Sequence, residues 1–167
     1  DDEKKRGVIA VSTGNHGQSV AYASSIFGVK AIIGMPEKAN PLKVEATEKL
    51  GAKVIFHGKD YDEARAWVEA EAERKGYRYI HSANEPMLIS GVGTLYLEII
   101  EDLPDVDIII TPLAGGSSAA AACIVAKTLN PKVKVFGVQA EKVPAVYLSW
   151  KSGRMISLNS ADTFAEG

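Results

Sequence analysis

Two rhythms of apolar and polar residues alternate along the chain. Short aliphatic and β-branched runs predict strands at "GVIAVS" (7–12), "KAIIGM" (30–35), "AKVIFH" (52–57), "YRYIH" (77–81), "DIIITP" (107–112) and "KVKVFGVQA" (132–140). Helical spacing fills the intervals. Residues 15–27 place Val20, Ala21, Ala23, Ser24 and Phe27 on one face, and Gly28 stops the helix. Residues 41–51 open with Pro and close with Gly, with Leu42, Val44, Ala46 and Leu50 as the apolar side. Residues 60–76 form an amphipathic helix with Ala64, Trp67, Val68 and Ala72 inward, and helices are predicted at 87–103, 118–129 and 143–153. The unbroken apolar run at 107–112 predicts a strand buried on both faces, whereas the more polar 77–81 belongs at an edge.

A strand followed by a helix, about six times over, predicts an α/β fold: open, mostly parallel sheets flanked by helices on both sides, in three layers. In such sheets ligands sit beyond the carboxyl ends of the strands, which directs attention to the strand-to-helix turns.

Charge narrows the candidates. With 19 basic and 21 acidic residues the net charge is −2, so there is no electrostatic case for nucleic acid or an anionic membrane. No apolar run reaches the roughly 20 residues of a membrane span. The single cysteine, Cys123, sits among Ala121, Ala122, Ile124 and Val125 and reads as a buried structural thiol. The opening "DDEKKRG" reads as the last turn of a helix with its glycine stop, and "SADTFAEG" ends without a closing element. The chain is expected to be a fragment of a longer protein.

Two turns carry candidate chemistry. In "STGNHG", Gly14 and Gly17 permit a tight turn and close backbone approach, and Ser12, Thr13 and Asn15 offer polar side chains at the start of a helix. The simpler account is that Thr13 or Asn15 caps that helix. In "PLAGGSS", Ala114, Gly115, Gly116, Ser117 and Ser118 are all small, and the next helix again presents its N-terminus, a setting suited to a phosphate. The simpler account there is a plain small-residue turn. A ligand with two separated anionic groups would satisfy both turns. Neither a P-loop GxxxxGK[ST] nor a GxGxxG fingerprint is present.

"STGNHGQSVAYAS", continued through "GVKAIIGMPEKANPLKVEATEKLGAKVIFHG", "HSANEPMLISGVGTLYLEI", "AGGSSAAA", "KVFGVQAE" and "TFAEG", resembles the pyridoxal-phosphate enzymes of the tryptophan-synthase-β-like fold, fold type II. Within them it is most similar to the group of threonine dehydratase (threonine ammonia-lyase), serine dehydratase and serine racemase. The resemblance implies pyridoxal 5'-phosphate as cofactor and α,β-elimination on L-threonine or L-serine, giving a 2-oxo acid and ammonia. It implies a cytoplasmic homo-oligomer acting in amino-acid metabolism, isoleucine biosynthesis included. Its lobes would be residues 1–11 (the end of a truncated N-terminal segment and the first strand), 12–85 (a small mobile lobe) and 86–167 (part of a large cofactor-binding lobe).

By the same resemblance Asn15 meets the cofactor ring, and Ser12, Thr13, Gly14, Asn15 and His16 line the substrate carboxylate. Ala114, Gly115, Gly116, Ser117 and Ser118 cradle the cofactor phosphate. Ala114 and Ser118 stand where that family commonly has glycine, and the Ala114 methyl is expected to pack on apolar neighbours. Thr13 stands where racemases use a serine as an acid–base group, which favours the dehydratase. Gln139 stands where several relatives place a glutamate near a cation site, and no metal is expected. The lysine that holds the cofactor is expected upstream of this chain, so no catalytic residue is assigned here, and the piece alone is expected to bind cofactor weakly or not at all. His57 and His81 read as structural or surface residues, Trp67 and Trp150 as core or interface, and Lys43 and Lys127 as solvated.

Overall fold

The structure, a computed structural model, describes residues 2–158 and Thr163. The rest of the closing stretch "SADTFAEG", and with it the end of the 86–167 lobe, lies outside the described residues. The chain divides into two compact units, one ending at Ser82 and one starting at Ala83.

Unit 1 opens with α1 (Asp2–Arg6), stopped at Gly7, whose amide donates to the Glu3 carbonyl (2.9 Å). Then come β1 (Val8–Val11), α2 (Asn15–Phe27), β2 (Ala31–Met35), α3 (Pro41–Lys49), β3 (Lys53–Phe56), α4 (Tyr61–Lys75) and β4 (Arg78–Tyr79). The four strands form one parallel sheet in the order β3-β2-β1-β4. Alternation along β1 and β2 feeds two cores. Ala10, Ala31, Ile33 and Met35 pack with Val20 and Ala21 of α2, while Ile9 and Val11 pack with Ala64, Val68 and Ala72 of α4. Helices thus cover both faces. The short, polar β4 lies at the edge, where Val8 and Ile9 pair with Arg78 and Tyr79. Local chemistry fixes the helix starts. Asn40 accepts from the Leu42 amide ahead of Pro41 (3.0 Å), and Asp60 accepts from Glu63 N–H while Glu63 accepts from Lys59 N–H (3.0 Å each).

Unit 2 contains α5 (Pro86–Asp102), β5 (Ile108–Pro112), α6 (Ser117–Leu129), β6 (Lys134–Val138) and α7 (Ala145–Ser152). β5 and β6 pair in parallel, Ile110 opposite Phe136. Tyr96 of α5 and Ala121, Ala122 and Ala126 of α6 pack against Ile109 and Val135. The alanines let α6 lie close to its neighbours.

Several expectations need correction. β5 is buried on one face only: Ile108 and Ile110 are 51% and 69% exposed. α5 and α6 pack on the Ile109 side, and β6 is its one sheet partner among the described residues. Cys123 is exposed, not buried, because the covered stripe of α6 runs through Ala121, Ala122 and Ala126. On α2, Ala23 and Phe27 face outward, and Gly17 and Ser24 join Val20 and Ala21 inside. Leu42 of α3 is exposed, and Thr47, its hydroxyl donating to the Lys43 carbonyl (2.8 Å), takes the buried place. Trp150 is 79% exposed, stacked at a tilt on Tyr147, and is no core residue. Lys127 is exposed as expected, and its ammonium also donates to the carbonyls of Pro131 (3.3 Å) and Val133 (2.9 Å).

Candidate functional site

The turn of unit 1 joins the carboxyl end of β1 to α2, at the centre of the sheet. Its geometry comes from Ser12, a buried residue whose Oγ accepts from the Gly14 amide (3.1 Å). Gly14 occupies the cap position of α2 with no side-chain cap bond, so neither Thr13 nor Asn15 caps the helix. Asn15 is instead the first helical residue, exposed, and its amide bonds to no other described residue. The first-turn N–H groups of Asn15, His16 and Gly17 have no partner along the helix and carry the positive end of its dipole.

The two glycines of this turn differ. A Cβ on Gly17 would lie 3.1 Å from Ile33 Cγ2 and 3.2 Å from Ser12 Cβ, so Gly17 lets α2 rest on β2. A Cβ on Gly14 would meet nothing within 4 Å. Space is open beside the very residue that leads into the unpartnered N–H groups.

His16 turns inward. Its Nε2 lies 3.0 Å from the Ile80 carbonyl, an acceptor, so Nε2 carries the proton. Burial pushes its pKa below the ordinary 6.5, against the opposing pull of that hydrogen bond. The ring is neutral at pH 7 and braces the turn against the strand end beyond β4. Ser12 and His16 are thus engaged within the unit through their side chains, while Thr13 and Gly14 are half-buried and Asn15 is exposed. His57 stacks on Trp67 (5.4 Å between centroids) and His81 meets Tyr79 edge-on, so both are engaged with aromatic neighbours.

In unit 2 the turn runs from β5 into α6. The Leu113 amide donates to the Val138 carbonyl (2.7 Å), and the Gln139 amide reaches the Leu113 carbonyl (3.2 Å) while accepting from Tyr147 N–H (3.2 Å). Gln139 is therefore a clamp on the entry to the turn. Gly116 caps α6 at φ +89°, a left-handed conformation that calls for glycine. A Cβ on Gly116 would meet nothing within 4 Å, while one on Gly115 would lie 2.9 Å from Ala83 Cβ. Ala114 is exposed, so its methyl does not pack on apolar neighbours as expected. The N–H groups of Ser117, Ser118 and Ala119 begin α6 without helical partners. The Ser118 hydroxyl points into the unit, toward Tyr96 and Thr111. What this turn offers an anion is its backbone.

Sequence reasoning passed over Tyr96. The only signal was a hydroxyl-bearing aromatic on the inner, aliphatic side of α5. Among the described residues no group of three or more His, Cys, Asp or Glu is arranged to hold a metal.

Known proteins resemble the chain along its whole length. The profile of the family described as pyridoxal-phosphate dependent enzyme matches residues 1–167. The chain is 42% identical over all 167 residues to an L-threonine ammonia-lyase of Thermotoga maritima and covers 42% of that protein. The processed form of threonine deaminase isoform 2 from Solanum lycopersicum superposes with a TM-score of 0.92 at 34% identity, over 98% of this chain and 45% of that one. Maize serine racemase superposes with a TM-score of 0.90 at 31% identity, over 97% of this chain and 50% of the other. The chain thus spans half or less of the length of these relatives.

Proposed function

The chain belongs to the pyridoxal-phosphate dependent enzymes, and from this premise we propose that it is part of a threonine ammonia-lyase. That enzyme converts L-threonine or L-serine to a 2-oxo acid and ammonia. One observation carries the reading: both strand-to-helix turns combine unpartnered N–H groups with a glycine whose side-chain space no atom of the described residues fills. Threonine-consuming relatives support the substrate.

When bound, pyridoxal phosphate supplies an electron sink that makes the α-proton of an amino acid removable. The residues of unit 1 hold and orient. The first turn of α2 receives a carboxylate, and the free amide of Asn15 is available to the substrate carboxylate and the cofactor ring. The neutral His16 keeps the turn in place without adding charge. Fixed orientation of this kind governs which bond breaks. In unit 2 the Ser117, Ser118 and Ala119 amides and the dipole of α6 neutralise a phosphate, with Ala114, Gly115 and Gly116 admitting it close to the backbone. No lysine of this chain is assigned to proton transfer.

Residues 12–85 and 86–167 are proposed as the small and large lobes. A cytoplasmic, homo-oligomeric enzyme serving amino-acid metabolism, isoleucine synthesis included, belongs to the same proposal. The exposed Tyr22, Ile26 and Phe27 of α2 support self-association. No helix of the described residues is long and apolar enough to cross a membrane. Serine racemization is the second reading, supported by the maize structure, with Thr13 as the group to bear a proton.

The test uses the longer natural protein. Release of 2-oxobutanoate and ammonia from L-threonine supports the proposal; D-serine formed from L-serine without 2-oxo acid overturns it in favour of the racemase. Asn15→Ala is expected to lower turnover on the order of 10²-fold, the scale of a lost positioning contact, with little change in thermal stability. Normal activity per folded molecule in an unstable variant would reduce Asn15 to a structural residue. Borohydride reduction followed by peptide mapping is expected to mark a lysine outside these 167 residues.

A further inference from the structure

We propose that the Tyr96 hydroxyl is a positioning group for the phosphate turn of unit 2, tying together the two ends of the 112–117 segment. The inference rests on the phosphate reading of that turn and adds a residue that the reading itself does not use.

Three hydroxyls from three elements meet inside unit 2. Tyr96 Oη of α5 lies 2.9 Å from Thr111 Oγ1 near the end of β5 and 2.5 Å from Ser118 Oγ in the first turn of α6. Thr111 and Ser118 are themselves 3.1 Å apart. Each hydroxyl has one proton and free lone pairs, so a ring of three lets each donate once and accept once. Tyr96 is 4% exposed and Thr111 1%, so solvent offers these two little alternative, and the closed ring is what satisfies them.

The position of the ring in the chain gives it a function. Thr111 stands just before the turn and Ser118 just after it. Between them Ala114 and Gly115 are exposed and Gly116 is left-handed, so apart from the close approach of Gly115 to Ala83 the turn has little packing of its own to hold it. Gln139 fixes only the entry, at Leu113. The Tyr96 hydroxyl is the one group from outside the segment that reaches both flanks, and it reinforces the direct Thr111–Ser118 bond and so helps set the direction of the Ser117, Ser118 and Ala119 amides. Packing alone does not require it. The neighbours of Tyr96 in the core, Ile109, Ala121, Ala122, Ala126 and Val133, are apolar, and a phenylalanine ring would fill the same space.

The experiment uses the longer natural protein, stripped of cofactor and titrated with pyridoxal phosphate, alongside Tyr96→Phe, Ser118→Ala and the double variant. Amide hydrogen exchange over residues 115–119 is recorded in the cofactor-free protein. Each single variant is expected to weaken cofactor binding about three- to tenfold, the scale of one hydrogen bond, and to speed exchange at 115–119. Because both act on one ring, the double variant should be little worse than the weaker-binding single. Ser118→Thr, which keeps a hydroxyl, should retain affinity. Affinity within twofold of wild type in Tyr96→Phe, whatever the exchange shows, overturns the proposal while leaving the phosphate reading intact. A wild-type protein that takes up no pyridoxal phosphate overturns both. Should Tyr96→Phe fail to fold, Ser118→Ala, at a half-buried site, decides the question by the same readouts.

Discussion

Ile33 and Ile110 are the same residue in the middle of two parallel strands, and their surroundings differ completely. Ile33 is 0% exposed, because β2 has a strand on either side and α2 on its face; Ile110 is 69% exposed, because β5 has one strand neighbour among the described residues and helices only on its opposite face. The units differ in the same way at their turns. Unit 1 seats its turn on an enclosed sheet and leaves a side chain, Asn15, free to act. Unit 2 seats its turn on a two-stranded sheet, draws its hydroxyl inward and leaves the backbone free. Burial follows from how many neighbours a strand has, and the chemistry a turn offers follows from which of its groups the protein has already used.

The largest test of this comparison is a pair of truncations. In the 167-residue chain, Ile33→Ala is expected to cost about 2–5 kcal/mol, and Ile110→Ala no more than about 1 kcal/mol. Native-state hydrogen exchange at the amides of β2 and β5 reads each unit separately. In a longer protein of the relatives' length, a cost at Ile110 approaching that at Ile33 would show that the face is covered there.

A second pair compares the turn glycines. Gly116→Ala forces a side chain into a left-handed backbone and is expected to cost about 1–3 kcal/mol. Gly14→Ala meets open space and should stay within about 0.5 kcal/mol. Denaturant midpoints of the two variants measure the difference. Equal costs would mean that the Gly14 turn is held by contacts other than those described.

The smallest difference concerns acid. All three histidines, His16, His57 and His81, lie in unit 1. Burial depresses the pKa of His16 from 6.5, so below that pH the unfolded chain takes up a proton that the folded chain resists. The resulting stability is complete above pH 6.5 and is lost as pH falls toward the depressed folded value. Trp67 fluorescence during urea unfolding of a Trp150→Phe background, read on either side of pH 6.5, should show unit 1 weakening in acid, and His16→Gln should flatten the trend. An unchanged slope would remove His16 from the account.

Periodicity located every strand and helix to within a few residues, because β-branched runs and glycine stops are local signals. It also found the apolar side of α4, Ala64, Val68 and Ala72, but missed Glu71, a charged residue drawn into the covered side and paired there with Arg74 and Lys75. It failed where a segment has no polar residues to mark an outer side. Nothing local in "DIIITP" or "AAAACIVA" tells a covered face from an open one, hence the misplacement of Ile110 and Cys123. The turns were legible from their glycines, but the roles within them were not. That Ser12 and His16 turn inward, or that Ser118 meets Tyr96, depends on residues 22 to 64 positions away or on the fine geometry of the turn.

The edge strand of unit 1 also has a consequence in time. Arg6 Nε donates to the Gly76 carbonyl (2.7 Å) across 70 positions of sequence, and the Ile80 amide donates to the Ile9 carbonyl (2.9 Å). During synthesis, at about 5–20 residues per second, β4 follows β1 after an interval on the order of ten seconds. β2 and β3 are available to the growing sheet much sooner, so one side of β1 remains unpaired meanwhile. The Ile80 carbonyl that receives His16 arrives with that last strand. The first turn therefore gains its brace only after nearly the whole of unit 1 has been made, and the order of translation becomes the order in which the site matures.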